Sequence, residues 1–379
     1  MQTIPWWRRF DPLLVLLPML LVLYGLALIH SATCQPDCAR WLPPSSETVR
    51  QAIFAVAGFA AMGIFALIDY RLSRMLAYVG YAGSIALLVL VLVPGVGHDG
   101  EDASYGALRW ISMGPFNIQV SEVAKLGLIL ALARWLSGAG SSLGWRRLGA
   151  SFVFLVPAVY LVYLEPDLGT TLSLVAIWFA MVCGAGLRVS QFAVLAAGAL
   201  AAIPLGWFVL RQYMRERIFT FINVVMDPNY DPFGEGYNIA QAKISIGSGG
   251  MFGRGLTQGT QTQLDYLRVS HSDFIFSVLA EEMGFLGGMV LFLLIAVLLF
   301  RILRVAERSR DEFGRLVAFG IGAWLLFQVF VNLGSNLTLL PVTGVPLPFL
   351  SVGGSSLVTL LLSLGLLQSV LLRRMKFRY

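Results

Sequence analysis

The sequence predicts an all-α polytopic membrane protein, and three observations support this fold class. Hydrophobic residues make up 57% of the 379 residues and charged residues only 13%, against roughly 25% charged residues in soluble domains. Apolar runs long enough to cross a bilayer, about 17–25 residues, recur along the chain. Because backbone groups find no water partner inside lipid, each run is expected to form a helix.

About ten membrane-spanning helices are predicted from these runs. Their boundaries in chain order are residues 12–30, 52–68, 75–94, 118–136, 149–164, 168–187, 190–210, 273–300, 316–333 and 354–372. The fifth run is short for a span. The sequence has no internal repeat and no soluble region large enough to fold alone, so residues 1–379 are predicted to form a single transmembrane domain.

Basic residues in the loops predict the orientation. If Arg8 and Arg9 are cytoplasmic and the spans alternate, most basic residues outside the spans fall on that same side, including Arg373 and Arg374. This positive-inside pattern places both termini in the cytoplasm and the chain in the cytoplasmic membrane. The net charge of +6 is therefore mostly an orientation signal. It does not indicate nucleic-acid binding, because no basic patch with interleaved aromatic residues lies on a soluble module.

The first outer loop holds two cysteines, Cys34 and Cys38. Oxidation is possible on that side of the membrane, so a small disulfide and two free thiols are both open interpretations. The third cysteine, Cys183, lies in an apolar run and is expected to pack as a small side chain.

A long polar segment, about residues 211–272, separates the seventh and eighth predicted spans. It is rich in Gly, Gln and Thr inside an otherwise apolar chain. We predict a large external loop here that is re-entrant or amphipathic. The run at 340–348 holds three prolines and cannot form one regular helix, so it is predicted to be an irregular turn that covers a site and is sheltered by protein.

Polar residues that are costly in lipid gather at the predicted outer ends of the spans. Glu122 and Lys125 lie in the first turns of the fourth span, and Asp167 lies in the turn between spans five and six. Asp273 opens span eight and Ser355 opens span ten at the same end. Ionisable residues at membrane depth mark functional sites by default, and their convergence on one face predicts a site there.

Glu122 and Lys125 are three residues apart, so they share one helix face and can pair. One interpretation is a self-neutralising pair that fixes this helix to a neighbour, because charges inside a membrane usually pair. The other is a direct role in chemistry. The two are compatible, since an ion pair can position a reactive carboxylate.

Asp273 also has more than one interpretation. An aspartate at a helix start often only caps free backbone N–H groups. The neighbouring His271 and the polar segment before it favour a functional carboxylate instead. A metal site built from His271 and Asp273 is a weak signal, because two ligands without a cluster are not diagnostic.

The glycine run at 247–255 resembles a phosphate loop only superficially. No strand precedes it and no GK[ST] follows it, so nucleotide binding is not expected. Tightly turning backbone at the membrane surface is one expectation. The other is that its amides cradle a pyrophosphate, helped by Lys243 and Arg254.

Four segments together resemble the SEDS family (shape, elongation, division and sporulation) of membrane peptidoglycan glycosyltransferases. They are ALRWISMGPFNIQVSEVAKL, EPDLGT, AQAKISIGSGGMFGRGLTQGTQTQLDYLRVSHSDFIFSVLAEEMGFLGG and LLPVTGVPLPFLSVGGSS. The GTQTQLDYL form resembles the elongation branch, RodA, more than the division branch, FtsW. Three positions depart from the family pattern: Val120 stands for a proline, Ser272 for a threonine and Val352 for a tyrosine.

The resemblance implies lipid II as substrate, Asp273 as the essential aspartate, and Glu122 and Lys125 as the functional acid and base pair. It implies a class B penicillin-binding protein, a transpeptidase, as partner. We expect Asp273 to act as general base on an acceptor sugar hydroxyl. Charge on the departing pyrophosphate is expected to be met by cations or N–H donors.

Five side chains are predicted to contact the substrate: Arg109, Asp167, Lys243, Arg254 and Ser355. No cofactor is certain, and a divalent cation, Mg or Mn, is an alternative source of positive charge for the leaving group. Two rival functions are a flippase for the same lipid and a non-catalytic scaffold that activates a transpeptidase. Polar groups at one face and the lack of a repeat disfavour a transporter, which tends to bind at the midplane between two related halves.

Overall fold

The structure is a computed structural model, and it describes residues 10–34, 45–98, 109–113, 116–138, 140, 142–227, 230, 234–264, 266–267 and 270–373. In these residues the chain forms helices and one small sheet. The helices are α1 (Leu13–Thr33), α2 (Ser46–Leu67), α3 (Tyr70–Val91), α4 (Val120–Leu136), α5 (Trp145–Leu164), α6 (Leu168–Gly184), α7 (Val189–Val209), α8 (Gln212–Met226), α9 (Glu235–Ser248), α10 (Thr260–Gln263), α11 (Ile275–Arg308), α12 (Glu312–Asn336) and α13 (Gly354–Leu372).

Every predicted span contains one helix, which confirms the fold class. Seven of these helices, α1, α2, α3, α5, α11, α12 and α13, are long and apolar enough to cross a membrane. α4 has 17 residues and carries Glu122, Lys125 and Arg134, and α6 is also 17 residues long. The number of spans and the orientation therefore stay predictions.

Side-chain caps fix where several helices begin. Ser45 accepts a hydrogen bond from the N–H of Thr48 at the start of α2. Asp69 and Asp311 cap α3 and α12 in the same way. These short polar side chains satisfy backbone N–H groups that have no partner within the helix.

The most enclosed helices are α12 and α13, which form the centre of the bundle. α13 packs closely on α2 because a glycine of each helix lies against the other helix. A Cβ atom on Gly365 would lie 2.3 Å from the carbonyl oxygen of Met62, and one on Gly58 would lie 2.6 Å from the Leu361 side chain. Small residues allow this close approach of helix backbones, which is typical of membrane proteins.

A small antiparallel sheet stands where the sequence predicted only loop and the start of the fourth span. It consists of β1 (Gly97–His98), β2 (Trp110–Met113) and β3 (Phe116–Gln119), with β2 in the middle. The predicted start of span four at residue 118 is therefore wrong by two residues, because 118 and 119 still pair with β2. β-branched and aromatic residues in these strands favour pairing.

The external segment 211–272 contains three helices, α8, α9 and α10. On α8, Phe219, Ile222 and Met226 are exposed, whereas Met214 and Val224 are buried, and the predicted amphipathic character of the segment stays a prediction. α9 packs against α11 and buries Ala242. The segment is thus mostly helical in the residues that the structure describes, and its re-entrant character stays a prediction.

Cys34 is disulfide-bonded, and Cys38 lies outside the described residues. Cys183 is a free cysteine and is exposed rather than packed, which corrects the expectation that it fills space in the core.

Candidate active site

Asp273 lies in the turn that leads into α11, and its backbone is held by two amides of α12. Asn336 Nδ2 donates a hydrogen bond to the carbonyl oxygen of Asp273 at 2.9 Å, and Asn332 Nδ2 donates to the same oxygen at 3.1 Å. Asn332 Nδ2 also donates to the carbonyl of Val345, and Ser277 Oγ donates to Asn336 Oδ1 at 2.7 Å. The N-cap residue of α11 is Phe274, whose side chain makes no capping hydrogen bond, and the capping interpretation of Asp273 stays a prediction.

A second brace holds the residues just before Asp273. The hydroxyl of Ser351 donates to the carbonyl of Ser272 at 2.6 Å and accepts a hydrogen bond from the N–H of Leu347. The N–H of Val352 donates to the carbonyl of His271 at 3.1 Å. Residues 271–273 are therefore fixed from both sides, which is the pre-organisation that a positioned base requires.

Gln51 of α2 supports this brace from the side facing α13. Its Nε2 donates to the carbonyl of Ser351, and its Oε1 accepts from the N–H of Gly353, both at 3.2 Å. Gln51 is 2% exposed. The role of Gln51 is not visible in the sequence, because a single glutamine in an apolar helix carries no local pattern.

The proline-rich run 340–348 lies beside Asp273, as the sequence predicted. Residues 341–347 form neither helix nor strand. A Cβ atom on Gly344 would lie 3.9 Å from Asp273 Oδ2, and one on Gly169 would lie 2.9 Å from the carbonyl oxygen of Thr343. The run therefore links the carboxylate of Asp273 to the N-terminal end of α6.

Glu122 and Lys125 form a buried ion pair within the bundle. Lys125 Nζ donates to Glu122 Oε1 at 2.7 Å, and the side chains are 1% and 2% exposed respectively. Lys125 Nζ also lies 4.9 Å from the ring centroid of Trp324 on α12, a cation–π geometry. The pair joins α4 to α12, as the structural interpretation expected, and its predicted role in chemistry stays a prediction.

Four of the five predicted substrate contacts bond to protein, and three of these four lie outside the external segment. Arg109 Nε donates to the carbonyl of Glu165 at 2.9 Å, and its Nη2 donates to the carbonyl of Pro166. Asp167 accepts from the N–H and the hydroxyl of Thr170 and so caps α6. Ser355 Oγ accepts from the N–H of Gln119 at 3.0 Å and fastens β3 to α13.

The other two predicted contacts are exposed residues of the external segment. Lys243 lies on α9, and Arg254 follows that helix, where its Nη1 donates to Thr260 Oγ1 at 2.9 Å. Substrate contact by any of the five residues stays a prediction.

The glycine run at 247–255 packs across a break in α11, which fits the tightly turning backbone that was one expectation, and the cradling of a pyrophosphate by its amides stays a prediction. Gly284 has φ 65° and ψ −163°, so the helix is interrupted there. The N–H groups of Arg254 and Gly255 donate to the carbonyls of Glu281 and Glu282 before the break. The carbonyls of residues 250 and 251 accept from the N–H groups of residues 285 and 286 after it.

Glu165 is a second carboxyl near the candidate site. It lies in the predicted outer turn between α5 and α6, and the sequence predicted no role for it. It is 0% exposed, and among the residues that the structure describes neither carboxylate oxygen has a hydrogen-bond partner. Burial raises the pKa of Glu165 to about 9; the nearby charge of Asp167 raises it further and that of Arg109 lowers it. Its signal in the sequence was its position beside a proline between two apolar helices.

No group of three or more His, Cys, Asp or Glu side chains able to hold a metal occurs among the described residues. A Mg ion bound through one carboxylate and substrate phosphates does not need such a group. The Mg or Mn alternative therefore stays a prediction.

A cavity of about 780 Å³ lies at the opposite end of α12 from Asn336. Its walls include Asp311, Glu312 and Arg315, and Asp273 is not part of it. We place the candidate site at Asp273 rather than in this cavity, because the braced carboxylate and the irregular run beside it lie at the other end.

Comparison with known proteins agrees with the motifs. The model of the family described as "Cell cycle protein", which covers FtsW, RodA and SpoVE, matches residues 11–376. "Peptidoglycan glycosyltransferase MrdB" of Escherichia coli is 35% identical over 96% of this chain and 93% of its own length. "Probable peptidoglycan glycosyltransferase FtsW" of Halothiobacillus neapolitanus is 38% identical over 96% of this chain and 86% of its own length.

Solved structures show the same fold. The rod shape determining protein RodA of Thermus thermophilus superposes with a TM-score of 0.70 at 32% identity and covers 98% of this chain and 100% of its own. A chain from the structure titled "Structural coordination of polymerization and crosslinking by a peptidoglycan synthase complex" superposes with a TM-score of 0.78 at 33% identity and covers 96% of this chain and 98% of its own. The chain therefore belongs to the SEDS family of membrane proteins, together with FtsW, RodA and SpoVE.

Proposed function

We propose that this chain is a peptidoglycan glycosyltransferase that polymerises lipid II into β-1,4 glycan strands at the outer face of the cytoplasmic membrane. The observation that carries the proposal is the carboxylate of Asp273 on a segment braced from both sides. Membership of the family, with relatives named as peptidoglycan glycosyltransferases, supports the reaction class.

The chemistry follows from the properties of the reacting groups. The C4 hydroxyl of the acceptor sugar attacks the anomeric carbon of the donor, and a new C–O bond forms as the bond to the pyrophosphate oxygen breaks. Asp273 takes the hydroxyl proton in the transition state, because a hydroxyl is a poor nucleophile without a base. The electron pair leaves with undecaprenyl pyrophosphate. A single displacement of this kind inverts the anomeric carbon and needs no covalent intermediate.

The backbone clamp suits this role. Because Asn332 and Asn336 bind the carbonyl of Asp273, they fix its position without neutralising its carboxylate. The buried pair of Glu122 and Lys125 contacts Trp324 on the same helix, about 12 residues or roughly 18 Å from Asn336 along the helix axis. We assign the pair a positioning role, acting through α12.

A transpeptidase partner is supported by the similarity to a chain of a peptidoglycan synthase complex. We propose a class B penicillin-binding protein in this position, since a polymerase that releases uncrosslinked glycan needs a crosslinking enzyme beside it. A role in elongation and cell shape is proposed from the GTQTQLDYL segment.

The test is polymerisation of purified lipid II by the purified full chain in vesicles. Asp273→Asn keeps the size of the side chain and removes the base, so we expect the rate of glycan synthesis to fall by about 10²–10⁴-fold. Asparagine keeps the backbone carbonyl that Asn332 and Asn336 bind, so the clamp should remain, and thermal unfolding of the variant checks that it is folded.

Two outcomes would count against the proposal. A folded Asp273→Asn variant with full activity would show that Asp273 is not the general base. Lipid II that crosses the vesicle membrane without forming polymer would favour the rival function, a flippase.

A further inference from the structure

Three arginines lie around the phenol of Tyr213, close to the N-terminal end of α8. The charges of Arg109, Arg211 and Arg217 each act on this phenol, as does that of Asp167. The hydroxyl of Tyr213 donates to the carbonyl of Pro166 at 2.7 Å. Because Arg109 donates to the same carbonyl, the cluster is tied to the turn between α5 and α6.

This arginine cluster (Arg109, Arg211 and Arg217) adjoins the candidate active site. Arg217 Nη1 donates to the carbonyl of Val342 at 3.4 Å. Two residues further on, Gly344 lies beside the carboxylate of Asp273. The segment 342–344 therefore connects the cluster to the carboxylate of Asp273.

The guanidinium of Arg109 has N–H donors that make no hydrogen bond to the described residues. Its Nε and Nη2 donate to backbone carbonyls, and among the described residues nothing accepts a hydrogen bond from its Nη1. A guanidinium carries five N–H donors in a fork that matches phosphate oxygens. The Cζ atom of Arg211 lies 5.6 Å from the ring centroid of Tyr163.

Glu165 decides the charge of the cluster. Its buried carboxyl receives no hydrogen bond, since Arg109 donates to the carbonyl oxygens of residues 165 and 166 instead. An ionised carboxylate in such surroundings is very costly, so the carboxyl keeps its proton. Burial accordingly raises the pKa of Glu165 to about 9. With Glu165 uncharged, the negative charge in the turn at 165–167 that opposes the three arginines comes from Asp167.

We propose that the arginine cluster binds the phosphate groups of a lipid-linked substrate, and that protonated Glu165 preserves the positive charge needed for this. The site rests on the proposed function and names the part of the protein that meets the pyrophosphate. The ligand class is a phosphate ester anion on a lipid, which either the substrate or a phospholipid headgroup can supply.

The proposed site has a defined pH dependence. The charged and titratable groups that face Glu165 are Arg109 and Asp167, with Arg211, Arg217 and Tyr213 on the neighbouring segment. Burial raises the pKa of Tyr213 to about 12, so its phenol stays neutral. Ionisation of Glu165 above about pH 9 should therefore weaken phosphate binding.

The test measures binding of undecaprenyl pyrophosphate to the full chain carrying Asp273→Asn, in phosphatidylcholine vesicles. Binding is scored without turnover, so failure of polymerisation in the parent would not by itself decide this result. Arg217→Gln should raise Kd by about tenfold or more, the loss expected for a charge-assisted hydrogen bond. The matched control is Arg215→Gln, a half-buried arginine of the same helix that lies over Trp207, and it should change Kd by less than about twofold.

The pH series tests the part played by Glu165. In the protein that carries Asp273→Asn and keeps Glu165, Kd should rise between pH 8 and 10. Adding Glu165→Gln should remove that rise. Infrared spectra should show the carbonyl stretch of a protonated carboxylic acid at pH 8, and Glu165→Gln should abolish it.

Three outcomes would overturn the inference. The first is an equal effect of Arg217→Gln and Arg215→Gln. The second is the same pH dependence with Glu165 and with Gln at this position. The third is displacement of the bound pyrophosphate by phosphatidylglycerol at concentrations equal to those of the probe, which would make the cluster a headgroup site rather than a substrate site.

Discussion

The amide of Asn336 donates a hydrogen bond of 2.9 Å to the carbonyl oxygen of Asp273, across 63 positions in the sequence. Asn332 binds the same oxygen from one helical turn earlier. Both contacts fix where the carboxylate stands, and neither uses the carboxylate itself. Position and chemistry at this site are therefore separable by mutation.

Asn336→Ala tests the clamp. The change removes the donor to Asp273 and leaves Ser277 Oγ without its acceptor, which should cost about 1–3 kcal/mol of stability. The kcat for glycan synthesis should fall by about 10²-fold if the carboxylate shifts by about 1 Å. KM should change little, because Asn336 is 0% exposed and does not touch substrate.

Ser277→Ala is the matched control for that variant. It removes the hydrogen bond to Asn336 Oδ1 but leaves the amide on Asp273. It should lower stability with little loss of kcat. An Asn336→Ala protein that is folded and turns over at the rate of the parent would contradict the clamp.

Lys125→Met tests the buried ion pair. It leaves the carboxylate of Glu122 buried without its partner, which should destabilise the protein by about 3–5 kcal/mol. Thermal unfolding in detergent measures the loss. The contact of Lys125 with Trp324 is lost as well, so α4 and α12 should separate most easily in this variant.

The double variant Glu122→Gln with Lys125→Met separates structure from chemistry. Removing both charges should recover most of the stability, because no isolated charge remains buried. If the pair only positions α12, glycan synthesis should recover in step with stability. A double variant that is as stable as the parent yet inactive would show that Glu122 or Lys125 acts directly on substrate.

Local patterns in the sequence predicted the helices and singled out Asp273, because each of these signals depends on neighbours in the chain. Apolar runs gave all ten helical segments, and the polar residue at the mouth of the eighth span was the one that the structure braces. The proline-rich run was also predicted to lie over the site, since prolines exclude a regular helix.

Features that join distant segments could not be predicted in this way. Gln51 meets Ser351 across 300 positions, and no pattern around either residue records that contact. The strand pairing of residues 110–119 was hidden because short strands next to an apolar helix look like its extension. The glycine run was ambiguous, since its amide donors were visible but their acceptors on α11 were not.

Stability should fall as pH rises because of Glu165, which lies in a turn outside the membrane-spanning helices. Its ordinary pKa is 4.5, and burial raises the pKa to about 9 in the folded protein. Between these values the folded state holds a proton that the unfolded state releases, so Glu165 lowers stability by about 1.4 kcal/mol per pH unit. Below pH 4.5 and above about pH 9 the slope vanishes.

Glu165→Gln should remove this contribution to the pH dependence. The variant should therefore be stabilised relative to the parent at pH 8 and much less so at pH 5, as measured by thermal unfolding in the same detergent. An equal difference in Tm at the two pH values would show that Glu165 has an ordinary pKa in the folded protein.

Gly253→Ala tests the repair of the break in α11. Gly253 has φ +78°, and a Cβ atom there would lie 2.2 Å from the carbonyl oxygen of Glu282. The left-handed backbone costs about 1–2 kcal/mol for alanine, and the overlap with backbone atoms adds to this, so the variant should unfold at lower temperature. Gly247→Ala is the matched control, because a Cβ atom there meets nothing within 4 Å and alanine favours α9. Gly247→Ala should leave stability unchanged or raise it by up to about 1 kcal/mol. If the two alanine variants unfolded at the same temperature, the close packing of the glycine run on α11 would not contribute to stability.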